Sequence, residues 1–404
     1  MIKWETLTLD HVTAEGSDGL RRGPFGGAVK KEIFVTDGYK IYEQRHAIYG
    51  DFDAGSYYIG ETHYRALRSF AVEPGDLIVS CSGTIGRVAI VPTTAKPGII
   101  NQALLRIRPK LRVVSSGFLK RLLETPDIQA RLFGSAGGSA IKNVKPLNEI
   151  RRVKFSLPPL AEQRRIAEIL DRAEALRAKR CDALTQVDSL NESIFLDLFG
   201  DPATNPKCWP KIALQDCTAK IQIGPFGSLL HQEDYVSGGI ALVNPKHIQN
   251  CRIVPSHTES VTLRKFKDLQ SFQLQAGDMI MGRRGEMGRC AIVEKEATPL
   301  LCGTGSLFIR PDRVRTESRF LCAMLSSKAL KLALERLSLG QTLPNLNSRI
   351  VEQLSIPLPP VALQREFSDR VKVVERLKTT QSTSLAELDS LFASLQQRAF
   401  RGEL

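Results

Sequence analysis

Two glycine-rich clusters, at residues 83–86 and 282–288, have the spacing in this sequence that most resembles a phosphate-binding loop. A glycine loop can bring backbone N–H groups close to a phosphate, most often where it leads into a helix. Here each cluster follows one β-rich run and precedes another. We therefore expect a hairpin turn at each cluster, and a loop whose backbone approaches DNA is the alternative.

The sequence lacks the motifs of enzymes that act on nucleic acids. It has no GxxxxGK[S/T] loop for ATP-driven translocation. Amino-methyltransferases grip a flipped base with Pro-Pro-aromatic after Asn or Asp, but Asp201, Asn205 and Asn244 each precede a single proline. No [D/E]xK triplet, which could hold a metal and activate water, occurs among 43 acidic residues. We therefore predict a noncatalytic protein.

Histidine and cysteine spacing predicts no metal site. The six histidines form no HxH or HExxH motif, and the eight cysteines are never closer than nine residues apart. Such cysteines are typical of small buried side chains in a reducing compartment. The sequence has no apolar run long enough to span a membrane, and its beginning, MIKWETLTLD, is unlike a signal peptide. We expect a cytoplasmic protein without metal, cofactor or membrane association.

The chain is a tandem duplication. GPFG at 23–26 recurs at 224–227, GDLIVSCSGTIGRVAIV at 75–91 recurs as GDMIMGRRGEMGRCAIV at 277–293, and LPPLAEQR at 157–164 recurs as LPPVALQR at 358–365. The offset is 201 or 202 residues each time. Three blocks in constant register indicate one unit of about 200 residues used twice.

Each unit begins with a mixed α and β region. Runs at 33–35, 76–80 and 87–91 predict strands, with counterparts at 279–281 and 290–293. Amphipathic stretches at 118–123 and 320–325 predict helices after these strands. The expected fold class is α+β.

A long helix is predicted after each LPP. The first, at 162–199, would be about 57 Å long. Apolar residues recur at three- and four-residue spacing in both copies, so each stripe could pack on its own domain or the two helices could pair. We favour a coiled coil, because near-heptad spacing in two copies suits a shared seam. The candidate seam and docking residues are Ile166, Leu170, Leu176, Leu184, Phe367, Val371, Leu377 and Leu385.

The net charge of +13 makes a polyanion the first candidate partner. We divide the chain at 1–155, 156–201, 202–357 and 358–404, and these segments carry +8, −3, +7 and +1. Two basic globular regions separated by neutral or acidic helices suit a protein in which each region holds a stretch of phosphate backbone and the helices act as spacers.

Together, the repeated GPFG, the GD(L/M)I block, the LPP helix starts and the C-terminal QQRAFRGEL resemble the specificity subunits of type I restriction-modification systems, which defend against foreign DNA. The resemblance covers essentially the whole chain. It implies two mixed α/β target recognition domains joined by two long antiparallel coiled-coil helices, with pseudo-twofold symmetry. Each domain would read one half of a bipartite, asymmetric target in double-stranded DNA.

The resemblance also implies partners that supply the chemistry. Modification subunits would bind S-adenosylmethionine and methylate adenine, and a restriction subunit would use ATP and Mg for translocation and cleavage. Two modification subunits would dock on the helical segments at 157–199 and 358–400. The alternatives are a specificity subunit of a modification-only system, a stand-alone DNA-binding protein and, least favoured, a single-chain methyltransferase or nuclease.

By the same resemblance, basic residues near the repeated motifs are candidate DNA contacts. They are Lys30, Lys31, Arg45 and Arg87 in the first unit, and Lys246, His247, Arg283, Arg284 and Arg289 in the second. Arginine can bridge guanine or hold phosphate, and for any one residue we favour a phosphate or surface role. Arg87 and Arg289 are equivalent, which favours a shared role in positioning.

Positions that differ between the units are better candidates for reading different half-sites. These are Cys81 against Arg283 and Ser82 against Arg284. The family's Asn-Leu-Asn before LPP is present at 345–347, whereas the first unit has Asn-Val-Lys at 143–145, preceded by GSAGGSA. We still expect a hinge between the globular region and the helix at this place.

Overall fold

A computed structural model describes residues 4–25, 27–134, 144–249, 251–285, 287–338 and 345–404. The chain forms two compact units. Unit 1 comprises Met1–Cys181 and Thr383–Leu404, and unit 2 comprises Asp182–Ser382. These units divide both long helices, whereas the four segments proposed from the sequence keep each helix whole. The four-segment division therefore stays a prediction.

Unit 1 contains ten strands and six shorter helices among its described residues, followed by the start of a long helix. The strands are β1 (Glu5–Thr8), β2 (Leu20–Arg22), β3 (Phe34–Val35), β4 (Tyr39–Tyr42), β5 (Tyr58–Ile59), β6 (Leu77–Ser80), β7 (Val88–Ile90), β8 (Gly98–Ile100), β9 (Leu104–Ile107) and β10 (Lys154–Leu157). The helices are α1 (Leu9–Val12), α2 (Gln44–Tyr49), α3 (Glu61–Ala66), α4 (Ser116–Leu123), α5 (Pro126–Phe133), α6 (Leu147–Arg151) and the long α7 (Leu160–Phe199).

Two four-stranded sheets form the centre of unit 1. The first has the order β2-β9-β6-β7 and is antiparallel throughout. The second has the order β3-β5-β4-β8, in which β4 and β8 are parallel. A separate antiparallel pair joins β1 to β10, directly before α7. The beginning of the described chain is thereby fixed next to the start of the long helix.

Unit 2 repeats this plan. Its strands are β11 (Lys211–Ala213), β12 (Thr218–Ile223), β13 (Tyr235–Val236), β14 (Ile240–Val243), β15 (Ile248–Gln249), β16 (Arg252–Ile253), β17 (Ser260–Val261), β18 (Gln273–Leu274), β19 (Met279–Gly282), β20 (Cys290–Ile292), β21 (Leu300–Cys302), β22 (Ser306–Pro311) and β23 (Ser355–Pro357). Its helices are α8 (Leu263–Asp268), α9 (Ser318–Ser326), α10 (Lys328–Ser338), α11 (Ser348–Glu352) and the start of α12 (Val361–Arg401).

The sheets of unit 2 match those of unit 1 strand for strand, with small additions. The antiparallel sheet is β12-β22-β19-β20, the mixed sheet is β13-β17-β14-β21-β18, and β11 pairs with β23 as β1 pairs with β10. Even the register is kept, because Leu77 lies opposite Ile107 and Met279 opposite Ile309. The duplication and the α+β class predicted from the sequence are confirmed.

Both glycine clusters are hairpin loops, as predicted. Val79 pairs with Val88 before and after the first cluster, and Met281 pairs with Cys290 around the second. The predicted helices after the sheets are also present, as α4 and α9. The long helix α7 begins at Leu160, two residues earlier than predicted, because the Pro159 carbonyl already accepts the backbone N–H groups of Glu162 and Gln163.

The long helices pack on the domains and also on each other. In unit 1, Ile166 and Leu170 of α7 lie in the same buried core as Ala399 of α12. Arg165 donates to the Leu404 carbonyl at 2.7 Å, and Arg177 pairs with Asp389 at 2.6 Å. The partner positions decrease along α12 as α7 advances, so the pair is antiparallel.

In unit 2 the pairing involves aromatic rings. Phe195 and Phe199 of α7 contact Phe367 of α12, with ring centroids 5.7 and 5.4 Å apart, and Phe320 of α9 completes the cluster. Both interpretations of the apolar stripes therefore hold: each helix packs on a domain, and the two helices pair.

The eight predicted seam residues fall into three groups. Ile166, Leu170, Phe367 and Val371 are buried, and Leu184 and Leu385 are half-buried. Leu176 and Leu377, at equivalent positions, are 58% and 41% exposed. An apolar surface is thus left uncovered on each helix. Among the described residues, no helix has the length and apolar character needed to cross a membrane.

Candidate nucleic-acid interface

Two loops of unit 1 meet on the turn at 101–104. The N–H of Gly23, just after β2, donates to the Leu104 carbonyl at 2.9 Å. The N–H of Cys81, just after β6, donates to the Ala103 carbonyl at 2.8 Å. Position 23 requires glycine, because an added Cβ would lie 1.8 Å from the Asn101 carbonyl oxygen. The GPFG loop and the hairpin loop are therefore held side by side.

Helix α2 borders the same loops. Gln44 donates to the carbonyl of Thr84 in the hairpin at 3.4 Å, and Arg45 follows it with an exposed side chain. The buried His46 ring holds the start of this helix, because Nδ1 accepts the N–H of Glu43 at 2.8 Å. We call residues 23–25, 43–46, 81–87 and 101–104 the first loop cluster.

Unit 2 builds the same arrangement from equivalent residues. The N–H of Gly224 donates to the Ser306 carbonyl at 2.9 Å, and the N–H of Arg283 donates to the Gly305 carbonyl at 3.1 Å. A Cβ at Gly224 would lie 1.9 Å from the Gly303 carbonyl oxygen. We call residues 224–227, 244–247, 283–285, 287–289 and 303–305 the second loop cluster.

The four candidate DNA contacts of unit 1 are all exposed. Arg45 and Arg87 belong to the first loop cluster. Lys30 and Lys31 lie just beyond it, where a short 3-10 turn at Lys31–Ile33 begins, and the Lys30 side chain folds back towards Gly27. This side of unit 1 therefore presents cations with free access to solvent, as a surface for phosphates requires.

The five candidates of unit 2 differ in exposure. Lys246, equivalent to Arg45, is exposed and forms an ion pair with Glu259; Arg284 is also exposed. The hydrogen bond from Lys246 lowers the pKa of the Glu259 carboxyl below its ordinary value. Arg289 is half-buried, with one guanidinium nitrogen 3.5 and 3.4 Å from the carbonyls of Pro245 and Ile248. Its equivalent Arg87 is exposed, so these two arginines do not have the same surroundings.

His247 lies inside the domain, with 5% of its surface exposed. Its Nδ1 accepts the backbone N–H of Asn244 at 3.1 Å, just as His46 accepts that of Glu43. Of these two equivalent histidines, only His247 is a candidate DNA contact from the sequence. In the structure both rings hold the start of the turn that presents Arg45 or Lys246.

Arg283 is also buried, at 6% exposure. Its Nε donates to the side-chain oxygen of Asn345 at 3.0 Å and to the Leu346 carbonyl at 3.1 Å. Burial and the neighbouring charge of Arg284 lower the pKa of Arg283. The guanidinium thus ties the hairpin loop to the segment at 345–347, where Asn347 caps α11. Of the hinge predicted in the first unit, residues 135–143 lie outside the described residues, whereas Lys145 is described and its N–H donates to the Leu132 carbonyl at 3.1 Å.

Sequence reasoning missed Phe25 and Phe226, the aromatic residues of the two GPFG motifs. They are 66% and 58% exposed, at equivalent positions in the two loop clusters. The signal was present in the sequence, because the motif places an aromatic side chain between glycines on a loop twice. Among the described residues, no group of histidine, cysteine, aspartate and glutamate could hold a metal ion.

Comparison with known proteins defines the class. The family model for the type I restriction modification DNA specificity domain matches residues 31–186 and 225–389. The chain therefore belongs to the family of type I restriction-modification DNA specificity proteins. The first match contains the first loop cluster except residues 23–25. The second match contains the second loop cluster except Gly224.

Individual relatives are similar over most of their length. The chain is 22% identical to the type I restriction enzyme EcoBI specificity subunit of Escherichia coli, over 94% of this chain and 83% of that protein. It is 21% identical to the type I restriction enzyme MjaVIII specificity subunit of Methanocaldococcus jannaschii, over 70% of this chain and 68% of that protein.

Solved structures share the fold. A chain from a structure addressing complex assembly and conformational transition of the type I R-M system matches with a TM-score of 0.63 at 20% identity, over 100% of this chain and 99% of that one. The type I restriction-modification S subunit from M. genitalium matches with a TM-score of 0.56 at 15% identity, over 99% of this chain and 96% of that one. Two recognition domains with two long antiparallel helices are thus the fold class of this chain.

Proposed function

We propose that this noncatalytic specificity subunit reads a bipartite, asymmetric DNA target, with one recognition domain within residues 1–155 and the other within 202–357. The observation that carries the proposal is the pair of loop clusters, which share a backbone framework but carry different side chains. Among the exposed positions, Ser82 stands where unit 2 has Arg284, and Arg45 stands where unit 2 has Lys246. Equal frameworks with unequal side chains suit two domains that read different sequences in the same manner.

The exposed cations of each cluster would hold the phosphate backbone. In unit 1 these are Arg45 and Arg87, with Lys30 and Lys31 nearby, and in unit 2 they are Lys246 and Arg284. Contacts of this kind fix the register of the protein on the duplex and carry little sequence information. Arg283 and His247 would act indirectly, because both are buried and shape the loops that carry the exposed residues.

The long helices, within 156–201 and 358–404, would set the length of the nonspecific spacer and dock two modification subunits. The duplication supports two docking sites, because a surface present twice can bind the same partner twice. S-adenosylmethionine would be bound by these modification subunits. ATP and Mg would be used by restriction subunits, where a complex contains them.

The test is reconstitution. The purified chain should bind DNA weakly and methylate nothing, and it should direct sequence-specific adenine methylation when mixed with its modification subunit and S-adenosylmethionine. Sequencing the methylated bases gives the target. Replacing residues 1–155 with another recognition domain of the family should then change one half of that target. Methylation by the chain alone, or a change in both halves, would contradict the proposal.

A further inference from the structure

One exposed phenylalanine lies in each of the two loop clusters. All 17 phenylalanines fall within the described part of the chain, and only Phe25 and Phe226 are exposed. Leaving a large apolar side chain in water forgoes about 1.5–3 kcal/mol of burial. One such residue would be unremarkable on a protein surface. Two at equivalent positions, separated by 201 residues, indicate a shared use.

The backbone immediately before each ring is closely packed. Gly23 and Gly224 pack so closely against a neighbouring carbonyl that no side chain fits, and Pro24 and Pro225 after them are buried. Proline also fixes the backbone angle φ of its own residue. A buried Gly-Pro pair thus anchors each loop immediately before the exposed ring. A side chain that follows an anchored backbone has less conformational freedom to lose on binding than one on a free loop.

The surroundings of the rings favour a nucleic acid over an apolar partner surface. Each GPFG loop shares a supporting turn with the glycine hairpin, which carries Arg87 in unit 1 and Arg284 in unit 2, both exposed. Near Phe25, the guanidinium carbon of Arg22 lies 5.4 Å from the ring centroid. An aromatic ring among exposed cations matches the stacked bases and phosphates of a duplex, whereas a hydrophobic protein groove would leave the cations without a counterpart.

We propose that Phe25 and Phe226 are wedges that enter the base stack of the DNA, one in each half of the target. This inference rests on the proposed function and adds an element to it. A base that is to be methylated must leave the stack, and unstacking costs a few kcal/mol. An apolar side chain that inserts between base steps partly unstacks them and compensates for the lost stacking. The wedge would therefore serve binding and would ease access of the modification subunit to its base.

The experiment uses the complex of this chain with its modification subunits and a duplex containing the sequenced target. Phe25→Ala should weaken binding about tenfold or more, in the range found when stacking residues are removed. The slope of log K against log salt should stay the same, because no charge is lost. Phe25→Leu should keep most of the affinity, since leucine is also a wedge residue. Phe226→Ala should behave in the same way.

A fluorescent base separates a wedge from an ordinary contact. With 2-aminopurine in the half-site read by unit 1, wild type should raise its fluorescence by unstacking it, and Phe25→Ala should not, while Phe226→Ala still does. If Phe25→Ala changed neither the affinity for DNA nor the 2-aminopurine fluorescence of the complex, the proposal of a wedge would be wrong. Loss of assembly with the modification subunits in place of loss of DNA binding would also overturn it, because the ring would then contact protein.

These outcomes are distinct from failure of the proposed function. If the wild-type complex failed to bind or methylate any specific sequence, the proposed function itself would be wrong. If wild type binds its target and both alanine variants bind equally well, only the wedge is wrong. Folding is checked by thermal unfolding, which should be unchanged because both side chains are exposed.

Discussion

Gln163 and Gln364 make the same three hydrogen bonds in their respective units. The Oε1 of Gln163 accepts the N–H of Ser115 at 2.9 Å, and its Nε2 donates to the carbonyls of Val113 and Pro158 at 3.0 and 2.8 Å. Gln364 accepts the N–H of Glu317 at 2.9 Å and donates to the carbonyls of Arg315 and Pro359 at 3.1 and 2.8 Å. Both side chains are fully buried. The glutamine of each LPP motif therefore locks a long helix to the domain before it.

The first prediction concerns this lock. Gln163→Ala should lower the free energy of unfolding by about 2–4 kcal/mol, because it removes a fully buried side chain and leaves the Ser115 N–H and the carbonyls of Val113 and Pro158 without their partner. Gln364→Ala should cost a similar amount, since the contacts are the same. Urea denaturation measures both. The control is Gln186→Ala on the exposed side of α7, which should change the free energy by less than about 0.5 kcal/mol. Equal effects of Gln163→Ala and Gln186→Ala would contradict the lock.

A second prediction follows from the buried guanidinium of Arg106, which is 1% exposed and bonds to Asp18 at 2.5 Å. Burial raises the pKa of the Asp18 carboxyl, but the charges and hydrogen bonds of Arg106 and Arg108 together lower it by more than burial raises it. The pKa of Asp18 therefore lies below its ordinary value of 3.8. Asp18→Asn should cost about 1 kcal/mol at neutral pH, a modest value because the Asp18 side chain is half exposed.

The sign of the pH dependence follows from linkage. A carboxyl with a lowered pKa in the folded state adds stability above its unfolded pKa, and this contribution is lost as the pH falls through the folded pKa. The difference between wild type and Asp18→Asn should therefore be full at pH 7 and shrink below the ordinary pKa of 3.8. Denaturant unfolding across this range measures it, with the exposed Asp37→Asn as control. A difference that grew on acidification would contradict the assignment.

The third prediction separates two adjacent arginines. Arg284 is exposed, so Arg284→Ala should remove one phosphate contact and reduce the salt slope of DNA binding by about 0.9. Arg283 is used within unit 2, so Arg283→Ala should leave the slope unchanged and lower the free energy of unfolding by about 1–3 kcal/mol. Binding titrations at several salt concentrations, together with denaturant unfolding, distinguish the two. The reverse pattern would place Arg283 at the DNA.

The sequence predicted the fold well because the fold is repeated. Blocks in constant register identify equivalent strands, and these pair equivalently in the structure, as the hairpins at Val79 and Met281 do. Burial was harder to predict. His247 and Arg283 have the residue types of DNA contacts, but both are buried, where His247 accepts the N–H of Asn244 and Arg283 donates to Asn345. Such contacts depend on segments distant in sequence, such as Asn345, and residue type alone does not reveal them.

The last prediction uses Leu176 and Leu377, the two exposed residues among the eight predicted seam residues. They are equivalent in the duplication, and neither is covered in the described structure to the degree that Leu170 is. One exposed leucine needs no explanation, but exposed leucines at equivalent positions of both long helices suit a surface that the same kind of partner covers twice. If each docks one modification subunit, Leu176→Glu and Leu377→Glu should each leave a complex with one modification subunit, and the double variant should bind none.

Mass measurement of the reconstituted complex counts the subunits directly. The control is Ala178→Glu, which adds the same charge to another face of α7, because a residue two positions along a helix is turned by about 200° from Leu176. It should leave two modification subunits bound. DNA binding by the isolated chain should be the same in all variants, since the substitutions lie away from the loop clusters. A full complement of modification subunits on the double variant would show that docking uses other parts of the helices.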